Sequence, residues 1–288
     1  AAWPDMQLPE TLEGWLGLLE ARHGQAIQLG LDRVRVVRDA LDLPKTCPVF
    51  TIGGTNGKGS TCALLEAVLL AAGYRVGLYT SPHLLKYNER VRIDGRDVSD
   101  EALVEAFAEV ERARGDVPLT YFEHGTLAAW VAFCRAGLDA IILEVGLGGR
   151  LDAVNVFEPD CAIVTSVAMD HMDYLGDTRE AIGFEKAGIF RAGRPAICSD
   201  PMPPASLVAH AEAIGARLWV TGRDFGFAGD QNQWAFWLAG GSRRGGLAYP
   251  ALRGTNQLLN AAAVMAGRKT QNKGENDPHI ITSTVIRK

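Results

Sequence analysis

The chain has 288 residues, of which 47% are hydrophobic, so it is long enough to bury a large core. Its formal net charge of −5 argues against nonspecific binding to nucleic acid, which requires a basic face. No apolar run reaches the length of a membrane span, and the first residues lack the pattern of a secretory signal. We therefore expect a cytoplasmic protein with neither nucleic acid nor membrane as a partner.

The cysteines stand alone in apolar segments, and no two have the CxxC spacing of a metal or redox site. We interpret them as small buried side chains of a protein in a reducing compartment. They are Cys47, Cys62, Cys134, Cys161 and Cys198.

Residues 1–46 predict a helical entry to the fold. Apolar side chains recur at helical spacing from Leu12 to Leu19 and again from Val34 to Leu41. Residues 26–33, between the two stretches, are interpreted as a connecting loop.

Residues 48–70 hold the strongest local pattern in the chain. An apolar run at 48–52 predicts a buried strand, residues 63–70 predict a helix, and the sequence GGTNGKGS separates them. Glycines let backbone N–H groups approach an anion, the helix N-terminus adds positive potential, and Lys58 adds a charge. The pattern predicts a phosphate-binding loop, although Gly59 stands where such loops usually carry a hydroxyl. A plain glycine-rich turn with a surface lysine is the alternative.

Two further predicted strands each end in a polar side chain. The strand at 75–80 leads to Ser81, and in the segment 139–144 four apolar residues are followed by Glu144. Polar groups at the carboxyl ends of parallel strands form the sites of open α/β sheets. The position of Glu144 therefore predicts that its carboxylate holds Mg²⁺ beside the phosphates. A turn residue at Ser81 and a surface ion pair at Glu144 are the simpler alternatives.

His171 and Lys186 are two more candidates. The predicted strand at 161–166 leads to His171, whose neighbour Asp170 could orient the ring of a metal ligand. Lys186 lies among apolar residues on a helix that Thr178 is expected to cap. The alternative for Lys186 is a lysine whose stem covers apolar surface while its ammonium group reaches water.

These elements predict an α/β fold with a doubly wound, mostly parallel sheet flanked by helices. Aromatic residues, glycines and short stretches of alternating apolar and polar residues at 225–252 predict a small group of additional strands, a β excursion from the main fold. A helix follows near Asn260. Residues 267–288 are basic and lack a core pattern, so we expect an unstructured tail after a domain formed by residues 1–266.

Taken together, the motifs resemble bacterial bifunctional dihydrofolate synthase/folylpolyglutamate synthase, a branch of the Mur ligase superfamily. The resemblance runs from about residue 12 to 266, and the motifs occur in the order of that family. They are GTNGKGS (54–60), TSPHL (80–84), LTYFE (119–123), LEVGLGGRLDA (143–153), Thr165-Ser166 with Asp170-His171, and EKAGI (185–189).

The resemblance implies a P-loop Mur-ligase central domain and an ATP-dependent ligase. In such an enzyme ATP phosphorylates a carboxylate of dihydropteroate or a folate, and the amine of L-glutamate attacks the acyl phosphate to form an amide. ATP, Mg²⁺ and a carbamylated Lys186 are the implied cofactors. A monomer with small-molecule partners is expected.

Residues are assigned by position in the matching motifs. Lys58, His171 and Lys186 are implied to be catalytic, and Ser81, Glu144 and His171 to bind magnesium. The implied nucleotide contacts are Gly54, Thr55, Asn56, Gly57, Lys58, Gly59, Ser60, Gln257 and Asn260. The implied contacts to the pterin substrate are Leu29, Gly30, Leu31, Thr120, Tyr121, Phe122, Glu123, Leu151, Asp152 and Ala153.

Two features depart from the family pattern. Gln28 stands where close relatives often carry an acidic residue. Family members also continue after the Asn260 helix into a second α/β domain that contributes the glutamate site, whereas the resemblance here ends near Ala266. We therefore expect the C-terminal glutamate-binding domain to be absent.

Two other functions remain open. One is a different P-loop enzyme, such as a kinase or a peptidoglycan ligase. The position of Gly59 argues against a kinase, and a pterin-binding segment at 120–123 would argue against a peptidoglycan substrate. The other is a fragment that binds nucleotide or pterin without turnover.

Overall fold

The computed structural model describes residues 8–22, 28–230, 232–250 and 255–271. An eight-stranded sheet lies at its centre. The strands are β1 (Val49–Gly53), β2 (Val76–Tyr79), β3 (Val91–Ile93), β4 (Arg96–Asp97), β5 (Ala140–Glu144), β6 (Cys161–Val164), β7 (Pro195–Cys198) and β8 (Arg217–Val220).

The strand order is β4-β3-β2-β5-β1-β6-β7-β8. The six strands β2, β5, β1, β6, β7 and β8 pair with their neighbours in parallel. Strands β3 and β4 extend the β2 edge of the sheet in antiparallel pairing. The parallel strands are nearly all apolar because helices cover both faces of the sheet. The predicted α/β fold with a mostly parallel sheet is confirmed.

Helices pack on both faces of this sheet. They are α1 (Leu12–Arg22), α2 (Asp32–Leu41), α3 (Lys58–Ala71), α4 (Asp100–Arg114), α5 (Tyr121–Ala136), α6 (Met172–Leu175), α7 (Arg179–Ala187), α8 (Ala205–Ala213) and α9 (Thr255–Gln271). The predicted cap of α7 is present, since the Thr178 hydroxyl accepts an N–H bond at the start of that helix. The hydroxyl groups of Ser99 and Thr120 cap α4 and α5 in the same way. No helix among the described residues is both long and apolar enough to span a bilayer.

Two hydrophobic clusters fill the space between the sheet and its helices, one on each face. In β5 the alternation is direct, because Ile141 and Leu143 belong to one cluster and Ile142 to the other. The larger cluster includes side chains of α1, α2, α4 and α5, and the smaller one includes α3 and α9. All five cysteines are free; Cys134 is partly exposed and the other four are buried.

A second, antiparallel sheet forms the predicted β excursion. Its strands, in the order β11-β10-β9, are β9 (Phe225–Gly229), β10 (Trp234–Leu238) and β11 (Arg243–Leu247). Phe225, Trp234 and Phe236 belong to the smaller cluster, together with side chains of α3 and α9. Part of the interval 225–252, residues 231, 251 and 252, lies outside the described residues.

The ends of the chain differ in part from the sequence analysis. The predicted helical entry corresponds to α1 and α2, although residues 1–7 and 23–27 lie outside the described residues. At the other end, α9 continues to Gln271, five residues past the predicted domain boundary at residue 266. Residues 267–271 of the expected unstructured tail are therefore helical, and residues 272–288 lie outside the described residues.

Candidate active site

The predicted phosphate loop connects β1 to α3. Gly57 has φ 87 and immediately precedes Lys58, the first residue of the helix. At Gly54 the φ is 137, and a Cβ would lie 1.9 Å from Thr165 Oγ1. Both positions therefore require glycine. The first turn of α3 has no side-chain cap, so its N–H groups are suited to an anion.

The ammonium group of Lys58 lies against the backbone of this loop. Its Nζ donates to the backbone oxygens of Gly54 and Thr55, at 3.0 and 3.3 Å. An ammonium group in this position is suited to a phosphate oxygen that approaches the loop from the helix N-terminus. The strand, loop and helix were all predicted from local sequence.

The loop is also bonded to the segment that follows β6. The N–H of Thr55 donates to Ser166 O at 2.8 Å, and the N–H of Asn56 donates to Ser166 Oγ at 3.1 Å. The hydroxyl of Thr55 pairs with both backbone groups of Ala168, at 3.0 and 3.2 Å. Two of the predicted nucleotide contacts thus use their N–H groups to fix the loop, which leaves the anion to residues further along.

Glu144 and Ser81 meet at the carboxyl ends of β5 and β2. Glu144 is 4% exposed, and among the described residues its carboxylate receives one hydrogen bond, from the N–H of Ser81 at 3.0 Å. Burial raises the pKa of Glu144, against the effects of that bond and of the Lys58 ammonium. Its Oε1 also lies 3.6 Å from where a Cβ on Gly59 would be, so the carboxylate adjoins the phosphate loop.

His171 completes the predicted metal-binding set. It has φ 46 and precedes α6, and its half-exposed ring places Nε2 3.5 Å from Asp170 Oδ1. That separation is longer than an ordinary hydrogen bond, so Asp170 orients the ring only weakly. His171 and Ser81 line the same cavity.

The residues present fit a divalent cation. A buried carboxylate that accepts one hydrogen bond, from the N–H of Ser81, lies beside the phosphate loop. Ser81 and His171 line the cavity next to it, and carboxylate, hydroxyl and imidazole are donors that Mg²⁺ or Mn²⁺ accepts. Among the described residues no group of three His, Cys, Asp or Glu side chains could hold a metal ion. Remaining coordination positions would therefore belong to water or phosphate oxygens.

Lys186 is buried in the last turn of α7. Its side chain is 2% exposed, and no hydrogen bond or ion pair joins its amine to another described residue. Burial, assisted by the positive charge of Lys58 and opposed by Asp170, lowers the pKa of Lys186 to about 8. A lysine that reaches water with its ammonium group is therefore the wrong interpretation. The amine is partly neutral near pH 8.

Next to this edge of the sheet lies a cavity of about 320 Å³. Nine of the predicted substrate contacts line it, namely Leu29, Gly30, Thr120, Tyr121, Phe122, Glu123, Leu151, Asp152 and Ala153. Leu31 does not, because its side chain packs against the larger hydrophobic cluster. Its assignment as a substrate contact stays a prediction.

Asp152 is a deeply buried acid of this cavity, at 3% exposed, and Glu123 is buried to the same extent. Its oxygens accept N–H bonds from Leu147 at 2.8 Å and Val154 at 3.0 Å. Burial nevertheless raises the pKa of Asp152 to about 6. Above that pH the carboxylate can accept further N–H donors from a ligand.

Arg90 is a cavity residue that the sequence analysis missed. Among the lining residues that the structure describes, it is the only arginine or lysine. Its Nε donates to His83 Nδ1 at 2.8 Å, and its guanidinium lies 5.4 and 5.8 Å from the rings of Tyr87 and Tyr121. The available signal was His83 within the TSPHL motif, followed closely by Tyr87 and Arg90.

Glu123, a predicted substrate contact, also belongs to the capping box at the start of α5. The next residue, His124, is a core residue between Trp15 and Phe107. The Asn260 amide of α9 adjoins the phosphate loop, because a Cβ on Gly57 would lie 3.0 Å from its Oδ1. Gln257, one turn earlier, is partly exposed.

Comparison with known families decides the wider assignment. A sequence profile of the Mur ligase middle domain matches residues 52–224, which is more than half of the chain. The chain belongs to the Mur ligase family. The matched range of this Mur ligase domain includes the phosphate loop, Glu144, His171 and Lys186.

Within that family the similarity is to folate enzymes. Dihydrofolate synthase/folylpolyglutamate synthase of Escherichia coli (strain K12) is 48% identical over 261 residues, which are 90% of this chain and 62% of the relative. An E. coli FolC structure in complex with DHPP and ADP superposes with a TM-score of 0.89 at 46% identity. The superposition covers 96% of this Mur ligase chain and 65% of that structure.

A further solved structure carries other ligands. It is a bifunctional folylpolyglutamate synthase/dihydrofolate synthase with Mn, AMPPNP and L-glutamate bound. Its TM-score is 0.87 at 45% identity, with 98% of this chain and 66% of that one covered. The Mur ligase chain described here therefore spans roughly two thirds of the length of these relatives.

Proposed function

We propose that this chain carries the ATP site and the pterin-acid site of a dihydrofolate synthase/folylpolyglutamate synthase. Such an enzyme joins L-glutamate to dihydropteroate or to a folate. The observation that carries the proposal is one of position. Ser81 bonds the Glu144 carboxylate, which adjoins the phosphate loop, and Ser81 also lines the cavity that holds Asp152 and Glu123. A phosphate donor and an organic acid bound there would be neighbours.

The reaction that the family resemblance implies has two steps. A carboxylate oxygen of the acid attacks the γ-phosphorus of ATP, the bond to the β-phosphate oxygen breaks, and ADP leaves. The amine of L-glutamate then attacks the carbonyl carbon of the acyl phosphate. The C–O bond to phosphate breaks, an amide forms, and the amine loses a proton. Holding the reactants together is a large part of the catalytic task.

The residues divide this task. Lys58 and the first turn of α3 would hold the triphosphate, and Ser81, Glu144 and His171 would hold Mg²⁺. Bound there, the cation offsets the charge of the phosphates. Arg90 would receive the carboxylate of the acid, and Asp152 would accept N–H groups of the pterin. The cavity lining thus offers a carboxylate to hydrogen-bond donors of the ligand and a guanidinium to its anionic group.

Lys186 has a separate proposed role. A neutral lysine amine adds to CO2, with loss of a proton, and becomes a carbamate that carries oxygen donors and a negative charge. The buried amine with its pKa of about 8 supplies the neutral form, and Lys58 nearby would offset the new charge. We propose that carbamylated Lys186 joins the cation and phosphate network.

The function is tested by measuring ADP release with the whole 288-residue chain. The assay contains Mg-ATP, dihydropteroate and L-glutamate, and each substrate is omitted in turn. Release that requires all three substrates is the expected result for the ligase. Dihydropteroate and nucleotide binding are measured in parallel by calorimetry.

The other outcomes separate the alternatives. Binding of both nucleotide and dihydropteroate without ADP release would assign to this chain a binding role only, which its partial coverage of the relatives leaves open. Nucleotide binding without any affinity for dihydropteroate would contradict the folate assignment and favour a Mur-type ligase with a different acid substrate.

A further inference from the structure

Arg33, in the first turn of α2, makes a two-pronged ion pair with Glu123. Its Nε lies 3.2 Å from Glu123 Oε2, and its second guanidinium nitrogen lies 2.8 Å from Oε1. The Glu123 side chain is 3% exposed and that of Arg33 is 21% exposed. A parallel pair of bonds in a buried setting restricts the relative orientation of both groups.

Glu123 occupies a sensitive position. It lines the cavity and forms a reciprocal cap at the start of α5, where its Oε2 accepts the N–H of Thr120 at 2.8 Å and its own N–H bonds the Thr120 hydroxyl. Thr120, Tyr121 and Phe122 line the same cavity. The direction of the Glu123 carboxylate therefore affects how the whole 120–123 segment faces a ligand.

The same arginine holds a second part of the cavity lining. Its guanidinium also donates to Gln28 O at 3.0 Å, and the N–H of Gly30 donates to Leu151 O at 3.1 Å. Gln28, Leu29 and Gly30 all line the cavity. The segment 28–30 is thus bonded to Arg33 at its beginning and to Leu151 at its end.

We propose that Arg33 is a positioning residue that sets the distance between the 28–30 and 120–123 segments and so determines the affinity for the aromatic acid substrate. Arg33 does not itself line the cavity, so it acts through Glu123 and the Gln28 carbonyl. The inference rests on the proposed function. A lysine would keep the charge but not the planar fork that reaches three acceptors.

The test compares variants of the whole chain by calorimetric titration with dihydropteroate and, separately, with Mg-AMPPNP. For Arg33→Gln we expect the Kd for dihydropteroate to rise by about tenfold or more, while the Kd for nucleotide stays within about twofold. Arg33→Lys should fall between Arg33→Gln and the parent. The matched control is Arg35→Gln, two residues along the same helix, whose partner Asp32 is fully exposed. A surface pair of this kind is worth little, so both affinities should be unchanged.

A double variant tests whether Arg33 acts through Glu123. Glu123→Gln should also weaken dihydropteroate binding, and the combination with Arg33→Gln should cost less than the product of the two single effects. Multiplicative effects, unchanged dihydropteroate affinity in Arg33→Gln, or an equal loss of nucleotide affinity would each overturn the proposal. Absence of dihydropteroate binding in the parent chain would instead contradict the proposed function on which it rests.

Discussion

At the scale of single residues, Lys186 shows how burial can make a common side chain reactive. An exposed lysine is almost entirely protonated at neutral pH, but this amine is 2% exposed and lies near another cation. Both influences lower its pKa, to about 8. Its sequence neighbours suggested only an apolar setting, and the nearby charge of Lys58 comes from a different element.

Carbamylation of Lys186 can be tested without an activity assay. The chain is equilibrated with ¹³C-bicarbonate, and ¹³C NMR is used to count carbamate carbons. At pH 8 the parent chain should show a carbamate signal that Lys186→Met lacks. The signal should be lost as the pH falls from 8 to about 6, because the neutral fraction of the amine then falls roughly fiftyfold for a pKa of about 8.

Lys45→Met is the control for this experiment. Lys45 is a lysine paired with Asp160 near the surface, so its removal should leave the signal unchanged. Equal carbamate signals in the parent chain and in Lys186→Met would contradict the proposed modification.

At the scale of elements, the phosphate loop and the segment after β6 form one bonded unit. The hydroxyl of Thr55 contacts both the N–H and the carbonyl of Ala168, and the Thr165 hydroxyl donates to Asn56 O at 2.7 Å. His171 lies three residues beyond Ala168. The position of the predicted metal ligand is therefore coupled to the loop that would hold the phosphates.

Thr55→Val should loosen this unit while it preserves the shape of the side chain. Loss of two hydrogen bonds is worth about 1–2 kcal/mol, or roughly 5- to 30-fold in a local opening equilibrium. Hydrogen exchange at the Ala168 amide should accelerate by that factor, whereas exchange at Ile52 in β1 should not change. Thr55→Ser keeps the hydroxyl and should behave as the parent chain does. Unchanged exchange at Ala168 in Thr55→Val would show that the contact does not hold the segment.

At the scale of the whole molecule, the larger hydrophobic cluster contains a buried histidine. The ring of His124 lies between Trp15 of α1 and Phe107 of α4, and its Nε2 is 3.3 Å from Phe107 O. Burial lowers the pKa of His124 to about 4 from its ordinary 6.5. Between pH 6.5 and about 4, His124 is protonated in the unfolded chain but neutral in the native protein. The free energy of unfolding therefore decreases as the pH falls through this interval.

The size of this loss of stability can be predicted, and a variant separates it from the effects of other titrating groups. Between pH 6.5 and 4 the His124 contribution to the free energy of unfolding should fall by about 3 kcal/mol. Urea unfolding of the parent chain and of His124→Phe is measured at each pH. The difference between the two proteins cancels the acids that titrate in both, and it should change by that amount. A difference that stays constant over this interval would refute the assignment.

The local order of strand, loop and helix was accessible from sequence because each depends on neighbours in the chain. The apolar run of β1, the glycines before α3 and the hydroxyl cap of α7 all encode short-range geometry, and they predicted these elements correctly. The motif order was specific enough to indicate the family. Leu31 shows what position-by-position assignment leaves open, because Leu29 and Gly30 line the cavity while the Leu31 side chain packs against the core.

Only the tertiary structure decided how these parts meet. Arg33 and Glu123 are 90 residues apart, and Thr55 and Ala168 are 113 apart, yet each pair is in hydrogen-bond contact. The parallel sheet brings the carboxyl ends of β1, β2, β5 and β6 to one edge, and burial at that edge shifts the pKa values of Glu144 and Lys186. Sequence determined which chemical groups were present, and packing between distant segments determined their partners and their charge states.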